Sequence, residues 1–153
     1  MYNEEQMLPS PLLIFVALLS VGVFIAPVLY AWRAGQFHPG MVWVAVAPIA
    51  IMLFLTAVRL KTSADDVHVT ARIWPLPAAQ WKYSDIQKVE EIEYSPMADF
   101  GGWGIRFGLG GKIYSMRGNR AVKLSLSSGK IVYLGTQEPS ALASEIRTHL
   151  AAR

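Results

Sequence analysis

The sequence predicts a membrane protein of the α+β class, in which an N-terminal two-helix transmembrane hairpin precedes a small antiparallel β-barrel capped by a C-terminal helix. Three observations support this fold class. Two long apolar runs lie near the N-terminus, strand-like alternation of apolar and polar residues follows them, and the last segment has helical periodicity. The composition agrees, because only 16% of the residues are charged, against roughly 25% in soluble domains.

Two segments are long and apolar enough to be transmembrane helices. Leu12 to Trp32 contains 21 residues without a charge. A helix of that length spans about 31 Å, which matches a hydrocarbon core of about 30 Å. Met41 to Val58 is a second uncharged run, of 18 residues, and Leu60 can extend it. We therefore predict spans at about 12–32 and 41–60, joined by a short loop, within an anchor of residues 1–61.

The residues that flank these spans predict their orientation. A cleaved signal peptide would carry basic residues before a short apolar core, whereas the tail here contains Glu4 and Glu5 and the apolar run is longer. Basic residues are more numerous after the second span than in the connecting loop, which contains only Arg33. The positive-inside rule then places the N-terminus and the C-terminal domain of a multi-pass protein in the cytoplasm, with the spans in a bacterial inner membrane.

Residues 62–153 are predicted to form six or seven antiparallel strands followed by one helix. Gly118-Asn119-Arg120 is predicted to be a hairpin turn. Leu142, Ile146 and Leu150 recur every four residues, which predicts an amphipathic helix that covers the open end of a barrel. The segments with strand-like character are 67–73, 86–94, 105–107, 112–117, 121–127 and 131–134.

Three motifs lie in this predicted domain: Phe100-Gly-Gly-Trp-Gly-Ile-Arg106, Gly118-Asn-Arg-Ala-Val-Lys-Leu124 and Leu134-Gly-Thr-Gln-Glu-Pro139. Together they resemble bacterial membrane proteins that carry a pleckstrin-homology-like (PH-like) domain, and the resemblance covers roughly residues 65–150. It implies a curled seven-stranded sheet capped by a helix, and the preceding hairpin agrees with that architecture. The resemblance transfers no activity and no catalytic residue to this chain.

The charges of the second half of the chain are unevenly distributed. Residues 61–100 contain seven acids and four bases, whereas residues 101–153 contain eight bases and two acids. The 25 residues from Arg106 to Lys130 include no acid. A basic face near a bilayer attracts anionic lipid, at about 1 kcal/mol for each well-placed cation. The alternative is that these bases pair with three acids of a neighbouring strand, Glu90, Glu91 and Glu93.

The candidate binding residues are four bases and one aromatic residue: Arg106, Arg117, Arg120, Lys123 and Trp103. Trp74, Trp81 and Trp103 lie either at the lipid interface or in the barrel core, and the core is favoured. Trp103 is also a candidate hydrophobic anchor. The glycines around Trp103 are typical of tight turns and bent strands. A phosphate-binding loop is disfavoured, because a strand and not a helix follows it.

No motif in the sequence indicates an enzyme. Walker, GxGxxG, HExxH and GxSxG patterns are absent, the chain has no cysteine, and its three histidines are isolated. We therefore expect no cofactor and no metal, and a net charge of +3 does not indicate nucleic-acid binding. The leading hypothesis is a membrane-anchored adaptor that docks a protein partner, aided by anionic lipid. The alternative is an accessory or assembly subunit of a larger membrane complex, and an enzyme of unknown class is the least favoured.

Overall fold

A computed structural model describes residues 1–152 and divides the chain into two units. The sheet unit comprises Met1–Met7 and the chain from Arg59 onward, and the helical unit comprises Leu8–Val58. The helical unit is therefore an insertion in the sequence of the sheet unit. The predicted anchor covers residues 1–61, whereas the structure assigns both ends of that range to the sheet unit.

The first part of the helical unit is one apolar helix of 24 residues, Ser10–Arg33. It consists of α1 (Ser10–Ser20), a π-helical turn (Val21–Ile25) and α2 (Ala26–Arg33). Pro27 lies in the first turn of α2, where its missing N–H leaves a backbone carbonyl without a helical donor, and the wider π-helical turn lies directly before it. The helix is long and apolar enough to cross a membrane or to act as an N-terminal signal sequence.

The second helix, α3, is shorter than the predicted span. It runs over Met41–Ala57, which is 17 residues, and contains Pro48. Val58 is already extended, and Arg59 begins a strand in which Leu60 is fully buried. The predicted extension of the span to residue 60 is wrong, because the apolar side chain of Leu60 packs in the core of the sheet unit.

The first sheet contains four antiparallel strands in chain order. They are β1 (Tyr2–Met7), β2 (Arg59–Ala64), β3 (His68–Ile73) and β4 (Ala79–Lys82). Alternate residues of β2 and β3 are buried, as a two-residue repeat requires of a strand with one covered face. β1 escaped prediction because its residues are mainly polar and Gln6 is the one buried among them.

The second sheet contains five strands in the order β5-β8-β9-β7-β6. They are β5 (Ile86–Glu93), β6 (Gly104–Gly108), β7 (Gly111–Ser115), β8 (Arg120–Leu126) and β9 (Ile131–Gly135). β7 and β9 are parallel, and the other neighbours are antiparallel. The predicted hairpin through Gly118-Asn119-Arg120 is wrong, because β9 lies between the strands on either side of that turn. β6 and β7 form a hairpin instead, with residues 108–111 at its tip.

The C-terminal helix covers the sheets as the sequence predicts. This helix, α5 (Pro139–Ala151), packs on β5 and β8 and buries Leu142, Ala143 and Ile146. A shorter helix, α4 (Pro96–Phe100), precedes β6. The two sheets are not closed into the predicted barrel, since β4 and β6 remain edge strands among the described residues. The α+β class is confirmed, and the closure is not observed.

Two side chains of β1 bind the second sheet where β7 and β9 end. Gln6 donates from Nε2 to the carbonyl of Gly135 at 3.0 Å and accepts at Oε1 from the N–H of Met116 at 3.3 Å. Glu4 accepts from the Thr136 hydroxyl at 2.5 Å and from the N–H of Gln137 at 2.9 Å. Partial burial of Glu4 raises its pKa, but hydrogen bonds from these groups, Tyr2 and Gln6 outweigh it and lower the pKa below the usual value.

Candidate functional site

Two residues of the predicted basic patch pair with the acidic strand β5. Lys123 Nζ lies 3.3 Å from a carboxylate oxygen of Glu90, and Arg120 Nε lies 3.8 Å from one of Glu93. Each pair occupies directly opposite positions of β8 and β5. Hydrogen bonds from Lys88 and then Lys123 lower the pKa of Glu90. Of the two alternatives that the sequence allows, the structure therefore favours pairing with the acids of a neighbouring strand for these two bases.

Of the other three residues of the patch, Trp103 directly precedes β6, Arg106 lies on β6, and Arg117 lies in the turn that follows β7. The indole N–H of Trp103 donates to the carbonyl of Gly118 at 3.1 Å, and Arg106 Nε donates to the carbonyl of Trp103 at 3.2 Å. Arg117 is exposed in the same turn. Among the described residues, no carboxylate pairs with Arg106 or Arg117. These two cations thus remain open to an anionic ligand.

The tryptophans of the sheet unit are less buried than the sequence predicts. Trp74 is 46% exposed, so its expected place in the core is wrong. It directly follows β3 and precedes Pro75, and its backbone N–H still donates to the carbonyl of Arg59 on β2 at 3.0 Å. Trp81 and Trp103 are half-buried, which a core position does not explain. Trp81 instead contributes to a pocket.

This pocket has a volume of 560 Å³ and lies where the two sheets fail to close. Trp81 of β4 lines it from the first sheet, and residues of β6, β7, β9 and the adjoining turns line it from the second. The lining is mainly apolar and includes Tyr114, Leu126, Ile131 and Val132. Apolar pockets of this size with a few polar groups are typical of ligand sites in proteins.

Both charged residues in the lining are lysines, Lys112 and Lys130. The ammonium group of Lys112 lies 5.0 Å from the ring centroid of Tyr114 and 5.5 Å from that of Phe107. Such distances are within the range of cation–π attraction, which holds the charge beside the apolar surface. Trp81 packs edge-on against Tyr114, with ring centroids 5.4 Å apart. The pocket therefore combines aromatic walls with positive charge.

The tip of the β6–β7 hairpin presents two large apolar side chains beside this pocket. Phe107 is 78% exposed and Leu109 is 51% exposed. Leu109 has a φ of +46°, a conformation that leucine rarely adopts, and its carbonyl accepts a hydrogen bond from the Tyr133 hydroxyl at 2.9 Å. A Cβ on Gly108 would meet the Asp99 carbonyl at 2.1 Å, so this position requires glycine. These two contacts anchor the backbone of the tip, and its two large apolar side chains face outward.

The sequence predicts only part of this site. Lys112 and Lys130 lie in the acid-free window and Phe107 lies in a predicted strand, but the sequence predicts no role for Leu109 and no pocket contact for Trp81. A usable signal was present in Phe107-Gly-Leu109-Gly-Gly111, where large apolar residues alternate with glycines of a turn. Trp81 carries no comparable local signal, because its role depends on contact with the other sheet.

Fold and site together define a class of protein: an α+β sheet unit with an inserted apolar helical unit and an open apolar pocket flanked by lysines. No protein-family model matches the chain. A search of curated proteins finds no matching sequence either.

Proposed function

We propose that this chain is a membrane-anchored, non-enzymatic binding module that docks a protein partner at the cytoplasmic face of a bacterial inner membrane. The pocket at the open edge between the sheets carries this proposal. β6, which borders the pocket, is an edge strand, so a partner segment has both an apolar cavity and free backbone groups to bind. The lysines at the pocket favour a partner, or a lipid co-ligand, with negative charge.

The pairing of β1 with β2 supports a two-span anchor. Met7 lies opposite Arg59 in this pair, so the chain enters and leaves the helical unit at neighbouring positions of one sheet. A single crossing would place the two strands on opposite sides of the membrane and break the pair. With 17 residues, α3 extends about 26 Å, near the lower limit for a crossing helix.

The same pairing argues against a cleaved signal sequence. Cleavage after the first helix would remove β1, and with it the hydrogen bonds of Gln6 to Gly135 and Met116. The buried backbone groups that these bonds satisfy would lose their partners. We therefore infer that Ser10–Arg33 is retained as a membrane span.

A PH-like fold remains our interpretation of the sheet unit. Antiparallel strands followed by a C-terminal helix that covers them support it. The curled sheet that the resemblance implies corresponds here to two sheets, and the helical unit is inserted after the first strand. The basic turn at Arg117 is then a second contact surface for the partner.

Labelling of single cysteines tests the topology, because the chain has no cysteine of its own. Gln36→Cys lies in the loop between the two helices, and Gln87→Cys lies on the exposed side of β5. In intact spheroplasts we expect a membrane-impermeant maleimide to label position 36, and to label position 87 only after lysis. Labelling of position 87 before lysis would contradict a cytoplasmic sheet unit.

Photocrosslinking in native membranes tests the docking itself. A photoreactive amino acid at position 81 probes the pocket, and the same amino acid at exposed position 87 is the control. We expect a discrete protein adduct from position 81 and none from position 87. A third variant carries the photoreactive amino acid at position 53, where Leu53 is exposed on α3. Adducts at position 53 alone would favour an accessory subunit of a larger complex. The absence of any adduct at position 81 would reject docking in the pocket.

A further inference from the structure

Among the described residues the two sheets end in four edge strands, β1, β4, β5 and β6, and β6 is the least protected of them. β1 carries Glu4 and Glu5, β4 has only four residues, and β5 combines several charged side chains with a shift in register. Charge, short length and irregular register are means by which proteins keep sheet edges from pairing. β6 has an unbroken register with β7, one charged residue, Arg106, and beside it Phe107, which is 78% exposed. This edge is therefore open to a further strand.

The geometry of the β6–β7 hairpin indicates which backbone groups of β6 are free. Residues 109 and 110 form a two-residue loop, and both have positive φ, as in a type I′ turn. The pair that closes such a turn, Gly108 and Gly111, exchanges hydrogen bonds, and in an antiparallel ladder every second pair does so. The N–H and C=O groups of Ile105 and Phe107 therefore point away from β7. A partner strand can bind these groups without breaking a bond of the sheet.

The two faces of β6 would contact different side chains of such a strand. Ile105 and Phe107 share one face, and their partners on β7 are Tyr114 and Lys112, which line the pocket. Arg106 lies between them on the opposite face. Residues added beside Ile105 and Phe107 would thus lie on the pocket side, where apolar side chains fit. The residue between them would lie beside Arg106.

Three cations at this edge indicate the charge of the added strand. Among the described residues, no carboxylate pairs with Arg106, Lys112 or Arg117. Lys112 lies at the hairpin end of β6 and Arg106 in its middle. Trp103 directly precedes β6 and donates to the carbonyl of Gly118, so the turn that contains Arg117 is next to the start of β6. Charge complementarity therefore favours a strand with acidic residues.

A second copy of this chain is a poorer occupant of the edge. Two β6 strands that pair about a twofold axis, with Ile105 of each copy opposite Phe107 of the other, place the two copies of Arg106 directly opposite each other. Like charges at opposite positions of a sheet are destabilising. An acidic residue of a different chain is instead attracted to Arg106 at the same position.

We propose that an extended acidic segment of a different protein adds to the free edge of β6 as the sixth strand of the second sheet. An acidic side chain lies beside Arg106, and the apolar side chains on either side of it lie beside Ile105 and Phe107 and face the pocket. This inference rests on the proposed docking function, and it specifies the conformation and the chemistry of the partner segment.

Two synthetic peptides labelled with fluorescein test the charge of the strand. One is Thr-Glu-Val-Glu-Val-Glu-Thr, and in the other lysine replaces each glutamate. Fluorescence anisotropy measures their affinity for the full-length chain in detergent. We expect the acidic peptide to bind more than about tenfold more tightly, because its charges are attracted where those of the lysine peptide are repelled.

Charge reversal on the chain is the reciprocal test. Arg106→Glu should weaken binding of the acidic peptide about tenfold and strengthen binding of the lysine peptide. Arg72→Glu is the matched control, because Arg72 is also an exposed base on a strand and its reversal changes the net charge equally. It should change either affinity less than about twofold. Equal thermal midpoints show that both variants fold.

Backbone binding is tested at Ile105. Ile105→Pro removes the N–H that points away from β7, as an edge strand tolerates, whereas Ile105→Ala removes most of the side chain and keeps the N–H. We expect the proline variant to bind the acidic peptide about fivefold more weakly than the alanine variant, since one hydrogen bond is lost. Hydrogen exchange of the unaltered chain provides a second measurement, in which the acidic peptide should slow exchange in β6 and leave β5 unchanged.

Three results would overturn the proposal. They are absent or equal binding of the two peptides, equal effects of Arg106→Glu and Arg72→Glu, and unchanged exchange in β6 when the acidic peptide is bound. Failure of the proposed docking function gives a different result, because the photoreactive amino acid at position 81 then forms no protein adduct in native membranes. An adduct at position 81 that Arg106→Glu does not reduce would leave docking intact and reject the added strand.

Discussion

Replacing Gln6 by alanine removes the side chain that connects the first strand to the second sheet. The carbonyl of Gly135 and the N–H of Met116 lose their partners, and both residues are buried. An unsatisfied buried backbone group costs about 1–3 kcal/mol, so two cost about 2–6 kcal/mol. The rotamer freedom that the substitution releases offsets up to about 2 kcal/mol of this. With a cost near the middle of that range, about 4 kcal/mol, and an offset of about 1–2 kcal/mol, we expect a net loss of about 2–3 kcal/mol in the free energy of unfolding.

Thermal unfolding of the full chain in detergent, followed by near-UV circular dichroism, measures this loss. For a unit of about 100 residues, 1 kcal/mol shifts the midpoint by about 4–8 °C, which predicts a decrease of about 10–20 °C. Asn3→Ala is the matched control, since Asn3 lies on the same strand and is exposed. It should change stability by less than about 0.5 kcal/mol. Equal midpoints for the two variants would show that β1 does not dock as described.

Three further predictions concern the same unit and use the same thermal assay. The pKa of Glu4 is lowered in the folded protein, so its ionised carboxylate stabilises the fold above the unfolded pKa of 4.5. This stabilisation is lost as the pH falls through the folded pKa. The difference between the thermal midpoints of the wild type and Glu4→Gln should therefore be smaller at pH 3 than at pH 7. Gly135→Ala would bring a Cβ within 2.5 Å of the Ser115 Cβ and should destabilise by about 1–3 kcal/mol, whereas a change below 0.5 kcal/mol would contradict this close packing. Ile146→Ala removes a fully buried side chain of α5 and should cost about 2–5 kcal/mol, and an unaffected midpoint would mean that α5 does not cover the sheet.

Elements with a strong local repeat were predictable from the sequence. In β8, Val122, Leu124 and Leu126 alternate with outward residues, and in α5, Leu142 and Ile146 are one helical turn apart. Both patterns arise because one face of the element is buried, so the spacing of the apolar residues predicts which face that is. The first long helix was predictable for a related reason, because its apolar run has no polar face at all.

Other elements have no such local signal. β1 consists largely of polar residues, and its pairing with β2 spans more than 50 residues of sequence. β9 pairs in parallel with β7 and thereby lies between β7 and β8, which are consecutive in the sequence and had been predicted to form a hairpin. Long-range pairing depends on which surfaces fit in the folded core, and a window of neighbouring residues does not contain that information.

The candidate site divides in the same way. The sequence shows an excess of bases between Arg106 and Lys130, but the structure assigns these cations to different surroundings. Lys123 on β8 pairs with Glu90 on the neighbouring strand β5, whereas Lys112 lies beside two aromatic rings at the pocket. Charge content is a property of the chain, while the partner of each charge depends on strand order.

By itself the sequence determined where the chain is apolar enough for lipid and which segment is basic. It also determined where apolar and polar residues repeat with the period of a strand or, in the last segment, of a helix. These properties follow from the composition and spacing of neighbouring residues. Only the tertiary structure decided that a polar N-terminal segment belongs to a sheet, that the sheets stay open, and that Trp81, Phe107 and Lys112 meet at one pocket. Those outcomes depend on contacts between residues far apart in the chain, which form only when the whole core packs.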